Sequence, residues 1–132
     1  MDTSMTLYYS PMIISLLAIL SIILAYRVVQ SRRDEKVGLG DGENKIVELR
    51  MRVHANLLEN LFPFSILYLV YELNNGSELV LLLTGNLFLL ARVFHAYGFS
   101  KSAGVSVGRF YGTLFSWLTI VFLCLANLYQ LL

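Results

Sequence analysis

Arg52-Val-His54-Ala-Asn56-Leu-Leu-Glu59-Asn-Leu-Phe-Pro63-Phe-Ser-Ile-Leu-Tyr-Leu-Val-Tyr71 is a polar signature that runs directly into an apolar stretch. Arg52, Asn56 and Glu59 stand at i, i+4 and i+7, so on an α-helix they share one face. Glu59 already lies within the apolar part. An ionisable group at such depth is costly in lipid and normally faces a bundle interior or a wet cavity. The pattern therefore describes a polar site inside a membrane helix bundle. An Arg, an Asn and a Glu on one face suit a small zwitterion. The Arg takes a carboxylate, the Glu an ammonium and the Asn a peptide group.

The rest of the chain agrees with a membrane setting. Of its 132 residues, 57% are hydrophobic, and the mean hydropathy is +0.66, far above that of a soluble domain of this length. A net charge of +1 gives no reason to expect nucleic-acid binding. The single Cys124 excludes a disulfide framework and paired-thiol redox chemistry; in its apolar run it reads as a packing residue. No basic residue precedes Leu7, and the following apolar run is too long for a cleavable signal, so it reads as a membrane helix.

Hydropathy divides the chain into four spans, at about 7–29, 46–73, 78–99 and 108–131, within a single domain over 1–132. The second span must begin as a polar section projecting into water. Glu72-Leu-Asn-Asn-Gly-Ser77 reads as a tight turn, with Ser77 as an N-cap and with Glu72 and Glu78 capping or bordering it. All ten Lys and Arg lie around the first and third loops. By the positive-inside rule those loops are cytoplasmic and both termini face outward. The expected fold is an all-α membrane protein, a four-transmembrane-helix bundle. Polar groups on several of its helices favour oligomerisation.

Three charged features converge on the cytoplasmic side: the Arg52, Asn56, Glu59 face; Arg92-Val-Phe-His95-Ala-Tyr97-Gly-Phe99 closing span three; and Gly108-Arg109 opening span four. Each also has a plain structural reading. Arg109 alone suits an interfacial residue that snorkels to water. Arg92 suits an ion pair with Glu59, and His95 a bond to a backbone carbonyl. His54 points off the Arg52–Asn56 face. Pro63 cannot donate to the carbonyl of Glu59, which loosens the helix there. A metal site from His54, Glu59 and His95 lacks the one-face spacing of metal motifs, so none is assigned.

These residues together resemble the MAPEG family, the membrane-associated proteins in eicosanoid and glutathione metabolism. The Arg-x-His-x-Asn-x-x-Glu stretch with Pro63 looks like the family signature. Arg32-Arg33 resembles its basic first loop, Ala91-Arg92-x-x-His95 its third helix, and Gly108-Arg109 the opening of its fourth. Gly40-Asp41-Gly42, His95-Ala-Tyr97-Gly98 and Leu125-Ala-Asn127-Leu128 make it similar to the bacterial inner-membrane branch. The resemblance implies a homotrimer, with glutathione bound as co-substrate between subunits toward the cytoplasm. It implies that Arg52, Asn56 and Glu59 hold the glutathione backbone, that Arg92 and Arg32 or Arg33 meet its carboxylates, and that Arg109 stabilises the thiolate as the catalytic residue. His95 and Tyr97 complete the glutathione-binding set. Ala55 stands where some members place a second Arg. Phe99 stands near a ligand-contacting Tyr of several members, with Tyr97 or Tyr111 as the replacement.

The function expected from this resemblance is a glutathione transferase or peroxidase acting on hydrophobic electrophiles or lipid hydroperoxides from the bilayer. A non-catalytic member that binds lipid or serves as a scaffold is the alternative. A small multidrug exporter needs an acid in span one, and span one has none.

Overall fold

The computed structural model describes residues 7–101 and 107–132, with the backbone alone over 99–101. Four helices follow in chain order: α1 Tyr9–Asp34, α2 Lys45–Leu73, α3 Glu78–Lys101 and α4 Val107–Tyr129. All four are long and apolar enough to cross a membrane. Among the described residues there is no strand, so the fold is all-α.

Local chemistry sets most of the helix ends. The Asn44 amide oxygen accepts from the N–H groups of Ile46 (2.9 Å) and Val47 (3.2 Å), which starts α2 in the aqueous loop. The helix then runs unbroken through Pro63 to Leu73. Its far end turns through Asn75, in the left-handed region at φ 55°. The Gly76 N–H then returns to the Tyr71 carbonyl at 2.9 Å. A Cβ at Gly76 would run into the Tyr71 ring, so this position needs glycine for space rather than for φ.

The start of α1 is capped from a distance. Tyr8 makes no side-chain cap, and the first turn has no acid. The Glu72 carboxylate, from the end of α2, accepts instead from the N–H groups of Tyr8 (2.8 Å), Tyr9 (2.7 Å) and Ser10 (2.6 Å). Glu72 was expected to serve its own turn. It is drawn to α1 because three orphan donors and a positive helix end outbid the carbonyl-rich end of α2.

α1 packs mainly on α2, and α3 mainly on α4. Both α2 and α3 contact every other helix, whereas α1 and α4 do not meet. Two apolar clusters fill the bundle. One joins Ile13, Leu17, Phe64, Tyr68, Tyr71, Leu81, Phe88 and Leu123, with Phe64 and Phe88 stacked at 3.8 Å. The other joins Leu24, Val53, Leu57 and Ala96. Along each of the first three helices, polar residues lie between the members of the two clusters: Ser21 on α1, Asn60 on α2, and Arg92 and His95 on α3.

Candidate functional site

The site begins with this polar layer. Arg92 is only 1% exposed. One terminal guanidinium nitrogen donates to the Asn56 side-chain oxygen at 2.7 Å. The other donates to the Ser116 hydroxyl oxygen at 3.2 Å. Ser116 in turn donates to the Gly112 carbonyl at 2.7 Å. One guanidinium thus ties α2, α3 and α4 together. Among the described residues no carboxylate lies against Arg92, so the ion pair with Glu59 open to it in the sequence is not formed.

Asn56 is half-buried, and its neighbours on the helix face, Arg52 and Glu59, are exposed. At about 100° per residue this face flanks the buried stripe of Val53, Leu57, Asn60 and Phe64. On the opposite flank, Arg50 donates to the Arg27 carbonyl at 3.0 Å, and His54 lies 3.4 Å from the Ser21 hydroxyl. The α2 helix therefore shows one polar flank to α1 and leaves the other open at the surface of the bundle. Asn60 donates to the Asn56 backbone carbonyl at 2.8 Å and braces this turn one step from Pro63.

His95, 2% exposed, sits where Gly112 of α4 lies close against α3. A Cβ placed on Gly112 would lie 2.7 Å from both the His95 Cβ and the Ala91 carbonyl oxygen. Gly108 is nearly as tight against the Phe94 carbonyl, at 3.0 Å. These two glycines draw the first turns of α4 onto α3 and carry Arg109, half-buried, into the electrostatic reach of His95. The start of α4 adds the positive end of a helix dipole to this region.

The remaining sequence candidates are more scattered. Arg32 is half-buried and donates to the Gly40 carbonyl (3.0 Å) and to the Met51 sulfur (3.5 Å), which folds the first loop over the head of α2. Arg33 is exposed. Tyr97 is 59% exposed and points off the Arg92–His95 face. The side chain of Phe99 lies outside the described residues. His54, Glu59 and His95 diverge: His54 turns to α1, Glu59 to the outer surface and His95 to α4.

Sequence reasoning had no direct signal for Ser116. The clue was the α4 series Gly112, Ser116, Thr119, Leu123, all buried, at helical spacing. Small and polar residues repeated on one face of a membrane helix mark a packed interface.

A family model described as the MAPEG family matches residues 10–129. The chain is similar to the inner membrane protein YecN of Escherichia coli (strain K12). They are 28% identical over 124 residues, covering 91% of this chain and 93% of YecN. It is also similar to human microsomal glutathione S-transferase 1. That match is 30% identical over 103 residues, covering 69% of this chain and 66% of the transferase.

Proposed function

The chain belongs to the MAPEG family, and on that footing we propose that it is a glutathione-dependent transferase or peroxidase of the bacterial inner membrane. The observation that carries this reading is the polar flank of α2. Arg52 and Glu59 stand exposed on a membrane-crossing helix, with Asn56 between them joined to the buried Arg92. Exposed charges on such a helix need a covering partner in lipid. A neighbouring subunit of a homotrimer, with a zwitterionic tripeptide in the cleft, supplies that cover. The similarities to YecN and to microsomal glutathione S-transferase 1 support the membrane and the ligand.

In this reading Arg52 pairs with a glutathione carboxylate and Glu59 with its ammonium. Arg32 and Arg33, on the first loop, take a second carboxylate, and Tyr97 of one subunit faces the cleft made by the next. His95 backs the site from α3. Arg109, at the start of α4, faces the sulfur. A guanidinium beside a thiol favours the thiolate, so the proton leaves to solvent at neutral pH. The thiolate attacks an electrophilic carbon, the C–S bond forms, and the leaving group departs with its electron pair. With a lipid hydroperoxide, the thiolate takes the terminal oxygen, and a second glutathione completes reduction to alcohol, water and glutathione disulfide. In this reading the site is on the cytoplasmic side with both termini outward, which the basic residues around the first and third loops support.

The test separates thiolate formation from binding. Arg109→Ala should lower turnover of a chlorinated nitrobenzene, and the ultraviolet absorbance of bound thiolate, well before it weakens glutathione affinity. Equal loss in affinity and turnover would make Arg109 a simple binding residue.

A further inference from the structure

A guanidinium has only donors, so the Asn56 atom it meets at 2.7 Å must be the amide oxygen. The Asn56 amide NH2, the other branch of that amide, is then turned away from Arg92, and Asn56 as a whole is half-buried. The same logic holds at Ser116. Its hydrogen goes to the Gly112 carbonyl, which leaves a lone pair for Arg92. Both acceptors of Arg92 are thus held by a second bond or by the turn they stand on, since Asn60 braces the Asn56 backbone.

Arg92 is also a buried cation with neutral partners. Its Nε, buried, has no hydrogen-bond partner among the described residues. Neutral amide and hydroxyl oxygens solvate such a charge without cancelling it, and in a low-dielectric bundle its field reaches the neighbouring surface. The Asn56 amide is one of the two groups that touch this charge. Arg92 itself lies beneath Asn56 rather than beside it on the exposed face.

We infer that Arg92 is a positioning residue, which holds Asn56 by its amide oxygen and turns the amide NH2 outward as donor to a carboxylate or peptide carbonyl oxygen of the ligand. The inference rests on the glutathione reading above and deepens it. It replaces direct contact between Arg92 and a ligand carboxylate by action through Asn56. It also makes the middle of the site a donor toward an electron-rich oxygen, between the cation Arg52 and the anion Glu59. A neutral amide is required there, because a carboxylate would satisfy Arg92 equally well and repel the ligand oxygen.

Four variants test this: Asn56→Asp, Asn56→Ala, Arg92→Lys, and the double variant Asn56→Ala/Arg92→Lys, each in detergent. Without ligand, Asn56→Asp should melt at or above the wild type and Asn56→Ala below it, since only the former keeps an acceptor for Arg92. Asn56→Asp melting below Asn56→Ala would overturn the pairing. In glutathione titrations, Asn56→Asp should bind at least about tenfold more weakly, a change of one pK-sized step in free energy. Wild-type affinity in Asn56→Asp would overturn the outward donor. Arg92→Lys, which keeps the charge but loses the fork, should weaken binding in the wild-type background and cause no further loss in Asn56→Ala. A full additional loss there would mean that Arg92 meets the ligand directly, and would overturn the positioning role. A wild type that does not bind glutathione would remove the glutathione reading, while the melts still judge the pairing.

Discussion

Replacing Glu72 by alanine should release the start of α1 from the end of α2. The carboxylate accepts from three backbone N–H groups, at 2.8, 2.7 and 2.6 Å. A hydrogen bond to a charged group contributes roughly 1.5–3 kcal/mol net. A lost N-cap costs roughly 0.5–2 kcal/mol, and the charge at the helix end adds roughly 0.3–1 kcal/mol. These overlap, and water at the membrane surface takes up part of the loss. A local cost of about 2–4 kcal/mol follows for Glu72→Ala, and about 1–2 kcal/mol for Glu72→Gln, which keeps one acceptor oxygen. Amide hydrogen exchange in detergent reads the effect where it occurs. At about 1.4 kcal/mol per tenfold, the Tyr8, Tyr9 and Ser10 amides should exchange roughly 30- to 1,000-fold faster in Glu72→Ala, with the middle of α1 unaffected. Unchanged protection at all three amides would refute the cap, and with it the account of how α1 is fastened.

Other outcomes follow from the packing and from the proposed ligand. Gly112→Ala forces a methyl to within 2.7 Å of Ala91 and His95; it should destabilise the α3–α4 pair by about 1–3 kcal/mol in thermal melts, and wild-type stability would count against this close approach. Glu59→Gln should weaken glutathione binding by roughly 1.5–3 kcal/mol if the carboxylate meets the ligand ammonium; unchanged affinity by titration would remove that role. Chemical crosslinking in detergent should stop at trimers, and a clean dimer would contradict the proposed cleft between subunits.

The helices were legible because four long apolar runs leave few other solutions, and the Arg52, Asn56, Glu59 face because helical spacing alone defines it. The inward direction of each helix was not. In a membrane protein, apolar residues that face lipid look the same as those that face the core, so nothing in the pattern around Arg92 showed that it is 1% exposed while Glu59 on the preceding helix is exposed. Long-range partners were equally hidden. Ser116 lies 24 positions from Arg92. Glu72 was assigned to its own turn because local capping is the only kind a sequence displays, yet it caps a helix 62 to 64 positions earlier. In the sequence Gly108 marks only the opening of the fourth span, whereas in the structure it and Gly112 are contact points that bring α4 onto α3.

The central claim, a glutathione site built on the open flank of α2, is tested most directly by calorimetric titration of glutathione into the purified protein in detergent, with Arg52→Ala alongside. The account predicts saturable binding at micromolar to low-millimolar affinity in the wild type and its loss in Arg52→Ala. Absence of binding in the wild type, or equal binding in both proteins, would contradict it.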